Sequence, residues 1–244
     1  MPNYRLTLQF EGTRYHGWQV QPGWPTVQAE IEKAIAKTTA QQIRILGCGR
    51  TDSGVHAEEY VANFRVESDL PPERMMHALN SRLPEDIAVT ACDVAPDEFH
   101  ATLDVRRKTY RYTIATGRVR PVIERRFVHW VRHPLDVDAM RRASECLVGE
   151  HDFASFVTER DPAKNTVRTI YRLDVAARGR FIDITVEGNG FLYNMVRTLA
   201  GCLIAVGRGL RPVEWMRDAL EARDRTKALD TAPAQGLTMV RTLY

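Results

Sequence analysis

Two stretches of this chain run through the same succession of hydrophobic patterns, and that succession constrains the fold more than any other feature. Tyr4 to Phe10 alternates apolar and polar residues and reads as a strand. Thr26 is placed to cap a helix that carries Val27, Ile31, Ala34 and Ile35 at helical spacing. Ile43 to Cys48 reads as extended, and Tyr60 to Val66 alternates again. Pro71 and Pro72 open a helix through Met75, Met76 and Leu79, and Ile87 to Val94 closes the set as a strand. The order β-α-β-β-α-β is the split βαβ arrangement of ferredoxin-like folds. The second stretch repeats it. His100 to Thr116 is strand-like, Val137 to Leu147 is an amphipathic helix, and Thr166 to Ala177 with Phe181 to Glu187 forms a hairpin turning at Gly179. Phe191 to Val206 is a strongly apolar helix, Val213 to Ala222 a short inserted one, and Leu237 to Leu243 a last strand. The expected class is α/β (α+β): two ferredoxin-like halves, residues 1–98 and 99–244, with mainly antiparallel sheets meeting at a central cleft.

Composition agrees with a globular chain. Of 244 residues, 44% are hydrophobic and 27% charged, and a chain of this length needs no disulfide or metal staple to hold a core. The longest apolar stretch, Leu199 to Val206, falls far short of the ~18 residues of a membrane span. No apolar segment accompanies Arg5 and Glu11, so no secretory signal is expected; the expected location is cytoplasmic, with no membrane partner. Cys48, Cys92, Cys146 and Cys202 are far apart and form no C-x-x-C, so they are expected to be buried thiols.

Net charge is only +3, but its distribution is uneven. Five of the 34 basic residues are lysines, so 29 are arginines. Arg106, Arg107, Lys108, Arg111, Arg118, Arg120, Arg125, Arg126 and Arg132 fall in one block whose sole acid is Glu124. Such a block is an electrostatic footprint for phosphates, or a solvated face in an arginine-rich chain.

The turn Gly47-Cys48-Gly49-Arg50-Thr51-Asp52-Ser53-Gly54-Val55-His56 is the most informative segment. Its glycines permit positive φ and close approach of backbone to a ligand. Arg50 and Asp52 suit a carboxylate held ionised by a guanidinium, able to serve as nucleophile or base. The plainer reading is an Asx-type turn. Gly47-Cys48-Gly49 is not a dinucleotide fingerprint, because Asp52 stands where the third Gly would fall. His56-Ala57-Glu58 lacks the P-C-x-x-C of zinc deaminases, and His129 and His133 lie in a stretch expected to be extended, so no metal is expected. Tyr110 and Tyr112 share a strand face with Arg111 opposite, a pattern suited to base stacking beside phosphate contacts or to an edge-strand core. Arg197 is the one charge on an apolar helix and must find a partner; Asp52 is the best candidate, and snorkelling to the surface is the alternative.

At this point the residues resemble a family. Gly49-Arg50-Thr51-Asp52-Ser53-Gly54-Val55-His56-Ala57 is similar to the signature of TruA-type tRNA pseudouridine synthases. Tyr15-His16-Gly17-Trp18-Gln19, Leu83-Pro84-Glu85-Asp86-Ile87, Gly149-Glu150-His151-Asp152-Phe153 and the Phe191 to Arg197 run follow in the family's order. The resemblance implies that Asp52 is the catalytic aspartate, that Arg50 helps admit a flipped target base, and that Tyr110 stacks on the uracil. It further implies that Arg197 pairs with Asp52 and that Leu237 lines the base pocket. Arg106, Arg107, Lys108 and Arg111 would contact RNA. It implies a homodimer acting without a cofactor on uridines 38, 39 and 40 of the tRNA anticodon stem-loop. Tyr60, Thr102 and Gln235 depart from the family's usual residues, which bears on RNA contacts. A non-catalytic structured-RNA-binding protein would explain the arginines and aromatics, but gives no reason for a carboxylate in the central turn. A glycosidase would need two carboxylates at a set spacing, and only Asp52 stands out.

Overall fold

The computed structural model describes residues 1–158 and 165–244. The chain divides into two compact units, Met1–Arg106 together with Met239–Tyr244, and Arg107–Thr238.

The first unit has the expected order. Strand β1 (Asn3–Phe10) buries Tyr4, Leu6, Leu8 and Phe10 on one face, as its alternation requires. Helix α1 (Val27–Thr39) is capped by Thr26, whose hydroxyl accepts from the Ala29 amide at 3.4 Å, and it ends where Ala40 turns left-handed. Strand β2 is only Leu46–Gly47, shorter than the extended stretch expected from Ile43. Strand β3 (His56–Arg65) begins earlier than expected, because His56 and Ala57 are buried and extend the pairing toward Phe10. Helix α2 (Pro72–Asn80) starts on a proline, which needs no amide partner in a first turn, and buries Met75 and Leu79. Strand β4 (Ile87–Ala95) completes the set. β1 lies between β3 and β4, antiparallel to both, with Leu6 opposite Ala62 and Cys92; β2 pairs with β3.

The second unit is built on strand β5 (Arg107–Thr116), with β6 (His129–Val131) parallel to it. The residues from His100 to Asp104 form turns rather than the start of the strand. Helix α3 (Val137–Ser144) is capped by the Asp136 carboxylate, which accepts from the Ala139 amide at 2.9 Å. It ends before the expected Leu147 and continues as a single 3-10 turn. Strand β7 (Gly149–Asp152), not expected from the pattern, pairs with β8 (Val167–Arg178). β8 and β9 (Phe181–Gly188) form the expected hairpin, with Gly179 at φ +61°. Helix α4 (Met195–Gly207) starts four residues later than Phe191, because Asn194 adopts φ +59° and interrupts the helix there. Only Arg197 and Gly201 of α4 are not buried, so its apolar surface is enclosed almost all round. Helix α5 (Trp215–Ala222) follows.

Strand β10 (Leu237–Leu243) starts in the second unit and delivers Met239–Leu243 to the first, where it lies beside β3. All four cysteines remain thiols; Cys48 and Cys202 are buried, whereas Cys92 and Cys146 are half-buried rather than buried as expected. Burial pushes the Cys92 thiol up to about 12 and the Cys202 thiol up to about 11. No helix of the described residues is long and apolar enough to cross a membrane.

The Tyr112 hydroxyl donates to the Pro233 carbonyl at 2.9 Å and lies 3.0 Å from His129 Nδ1. A phenol has one proton, so His129 Nδ1 carries the other and donates to the hydroxyl. Burial lowers the His129 pKa from its ordinary 6.5. Neutral His129 therefore contributes stability that is complete above that value and is lost as the pH falls, when the unfolded chain takes a proton the fold resists. Between about pH 7.5 and pH 5.5 the melting temperature is expected to fall, and to fall less in His129→Gln. Thermal scans showing the same pH dependence in both proteins would remove His129 as the cause.

Candidate active site

The Asp52 turn belongs to the first unit and joins β2 to β3. Its shape is imposed mainly by the backbone of residues 12–18. The Trp18 amide donates to the Thr51 carbonyl at 3.2 Å, and the Gly54 amide donates to the Tyr15 carbonyl at 3.2 Å. The Ser53 hydroxyl donates to the same Tyr15 carbonyl at 3.2 Å. The Gly12 amide donates to His56 Nδ1 at 3.0 Å, so that histidine nitrogen is occupied by the fold. The turn itself closes main chain to main chain, from the Val55 amide to the Asp52 carbonyl at 3.2 Å, with Gly54 at φ +80°. Asp52 is half-buried and Arg50 exposed.

Two side chains hold the turn from its other flank. Tyr60 is fully buried, stacks on Trp18 with ring centroids 4.1 Å apart, and donates its hydroxyl to the Gly49 carbonyl. Thr102 donates to the Gly47 carbonyl at 2.6 Å. The loop that carries Thr102 is itself fastened by buried Asn63, which accepts from the Ala101 amide at 2.9 Å and donates to Asn3 at 2.8 Å. Tyr60 and Thr102, expected to bear on RNA contact, are props of the turn. Sequence reasoning assigned no role to Gly12, Gly17 or Trp18. The available signal was the pair of glycines flanking Tyr15, which a segment packed directly on another backbone requires.

Tyr110, Arg197 and Leu237 belong to the second unit. Tyr110 is 8% exposed on β5 and meets the Phe191 ring edge-on, with centroids 5.3 Å apart. Tyr112 is buried on the same face. Burial holds the Tyr112 phenol far above its ordinary pKa, a rise that the Arg197 guanidinium opposes. Arg197 stands in the first turn of α4. Its Nε donates to the Ala232 carbonyl at 2.8 Å and its Nη1 to Asn194 Oδ1 at 2.7 Å, while the Ala232 amide returns a bond to the Arg197 carbonyl at 3.1 Å. Two neutral acceptors thus help to aim the guanidinium. Pro233 is tied to Tyr112, and Gly236 lies against the Tyr112 ring with no room for a Cβ. Those contacts place Leu237, which is 5% exposed. Gln235 lies in the 3-10 turn just before it.

The basic block is less uniform than its sequence implies. Arg107 pairs with Glu187 at 2.9 Å and stacks over Tyr171 at 4.6 Å. Lys108 and Arg111 are half-exposed on β5, Arg106 is exposed, and its amide donates to the Leu243 carbonyl at 2.9 Å. Among the described residues no cluster of three or more His, Cys, Asp or Glu could hold a metal ion.

Gly17 sits at φ +80°, and a Cβ there would overlap the Thr51 carbonyl oxygen and crowd Asp52. Gly23 has nearly the same φ, +79°, with open space around it. A side chain at left-handed φ costs ~1–2 kcal/mol at either position, so only Gly17→Ala adds a collision. Gly17→Ala is expected to lower the melting temperature more than Gly23→Ala and to speed hydrogen exchange across residues 49–55. Equal effects on that turn would show that the 12–18 segment does not hold it.

A protein-family model described as tRNA pseudouridine synthase matches residues 7–104 and 143–244. Asp52, Arg50, Arg197 and Leu237 fall inside the matched segments; Tyr110 and the basic block fall between them. The tRNA pseudouridine synthase A of Brevibacillus brevis is 45% identical over 244 residues, covering 100% of both chains. The tRNA pseudouridine synthase A 2 of Clostridium perfringens is 41% identical, and the tRNA pseudouridine synthase A of a Thermoanaerobacter species 40%, each over 100% of both chains. A solved Cbf5-Nop10-Gar1 complex aligns at 13% identity and TM-score 0.35, over 97% of this chain and 58% of that one, too distant to bear on the fold. With a family match over most of its length and relatives at 40–45% identity from end to end, the chain belongs to the tRNA pseudouridine synthase family.

Proposed function

We propose that this enzyme isomerises uridine to pseudouridine at positions 38, 39 and 40 of tRNA anticodon stem-loops, with Asp52 as the catalytic carboxylate. The observation that carries the reading is the Asp52 turn, fixed from both flanks by contacts that leave little freedom to its backbone, in a chain matched end to end by named synthases. The reaction breaks the bond from uracil N1 to C1′, turns the base and rejoins it through C5. C5 gives up its hydrogen and N1 gains one, so no group is imported and no electron leaves. Covalent attack by the carboxylate on the nucleotide and removal of a sugar proton both begin from an ionised Asp52. Arg197, oriented by Ala232 and Asn194, is the cation we assign to that carboxylate, and Arg50 the residue that admits the target. Taking the base out of its stack costs a few kcal/mol. Stacking on Tyr110 is worth ~1–3 kcal/mol, with Leu237 lining the pocket and Arg106, Lys108 and Arg111 assigned to phosphates. Arg107, already engaged by Glu187, would contribute only by exchanging that partner.

Tritium release from tRNA carrying [5-³H]uridine reads the loss of the C5 hydrogen directly. Wild type is expected to release tritium; Asp52→Asn is expected to release none while binding tRNA within a few-fold of wild type. Arg197→Met should lower both the rate and the melting temperature. Unchanged release by Asp52→Asn would overturn the assignment, and tight tRNA binding without release by wild type would favour a non-catalytic RNA-binding protein. We also propose a homodimer in the cytoplasm. Its support is the exposed apolar run Val119, Val122 and Ile123 in the second unit, at 74%, 60% and 84% exposure. Sedimentation should show a dimer that Ile123→Asp weakens; a monomer throughout would discard it.

A further inference from the structure

Helix α4 also borders a cavity, on the face that carries Arg197. Within the second unit, a cavity of about 460 Å³ is walled by Ile204 and Ala205 of α4 and by Leu229, with Trp130, Arg132, Arg208 and Asp230 also lining it. Its volume is that of an ordinary small-molecule site. Trp130 is 38% exposed, and its indole N–H donates to the Gly117 carbonyl at 2.9 Å, which fixes the plane of the ring. A face held in advance stacks at little entropic cost. Among the described residues, no side-chain hydrogen bond or ion pair engages Arg132, Arg208 or Asp230. Two guanidiniums and a carboxylate therefore line one cavity without neutralising each other. Groups of different chemistry in one lining can each meet a different part of one ligand.

The chemistry of the lining specifies that ligand. Guanidiniums take phosphate oxygens in paired hydrogen bonds. An indole together with aliphatic side chains suits a flat heterocycle. A carboxylate oxygen accepts, so it calls for a hydroxyl donor on the same ligand, as a ribose supplies. We propose that this cavity binds a ribonucleoside monophosphate, either free or as one unpaired nucleotide of an RNA strand. The proposed ligand contacts include none of the residues assigned to the isomerisation, although Ala232, whose carbonyl orients Arg197, also lines the cavity.

The test is calorimetric titration with adenosine 5′-monophosphate, its 2′-deoxy analogue, and a short unstructured oligoadenylate; adenine keeps the uridine-directed site out of the measurement. At least one ribonucleotide probe is expected to bind, and Arg132→Ala with Arg208→Ala should weaken it about tenfold or more, the worth of one charged hydrogen bond. The ribose form should bind more tightly than the deoxy form, and Asp230→Ala should erase that preference. All three residues are exposed, so their removal leaves the core intact, and unchanged melting temperatures would confirm it. Binding of the monophosphate assigns the cavity to free nucleotide; binding of the oligomer alone assigns it to an RNA strand. Absence of binding by either probe, or affinity unaltered by loss of both arginines, would overturn the proposal.

Discussion

Backbone packed directly on backbone, between residues 12–18 and the Asp52 turn, sets the shape of the first unit's candidate site. Hydrogen bonds between main chains carry no flexible side chain and have few alternative geometries. They can form at this density only where side chains are absent, which is why Gly12 and Gly17 stand on either side of Tyr15. A shift of about 1 Å in a reacting group can cost on the order of 10²-fold in rate. A carboxylate carried on a loose turn would be exposed to such shifts. Here the turn is gripped on one flank by amides and carbonyls, and on the other by Tyr60 and Thr102.

The second unit solves a related problem with different means. Arg197 lies on a helix otherwise closed by apolar packing, where a charge is costly unless it is solvated by dipoles or paired. The Ala232 carbonyl and the Asn194 amide oxygen supply dipoles and set the direction of the guanidinium at once. The same segment, held by Tyr112 through Pro233 and Gly236, leads into Leu237. One buried phenol thus helps to position both a cation and an apolar contact.

Much of this was legible in the sequence because periodicity reports burial. Strand β1, the Thr26 cap, α2 and the β8–β9 hairpin followed from alternation, spacing and Gly179. Three-residue β6 and four-residue β7 are too short to show a period. The late start of α4 depends on one left-handed asparagine, a conformation that hydrophobic pattern does not encode. Among the candidate site residues, residue types marked Asp52, Arg50, Tyr110 and Arg197 as chemically notable. The supports were illegible, because a main-chain amide carries no signature of the carbonyl it will meet. Tyr60 and Thr102 could be seen as unusual without showing that their hydroxyls cap Gly49 and Gly47.

The path of β10 has a consequence for how the chain matures. The first unit counts Met239–Tyr244 among its residues, and Cys48 beside the Asp52 turn packs on Met239 and accepts from Thr242 at 3.6 Å. Between Arg106 and Met239 the ribosome must synthesise the whole second unit, a delay of roughly ten seconds at ~5–20 residues per second. Throughout that interval the nascent first unit lacks a strand, and the edge of β3 that will receive it is exposed. The sheet that carries the Asp52 turn is therefore among the last parts of the molecule to be completed.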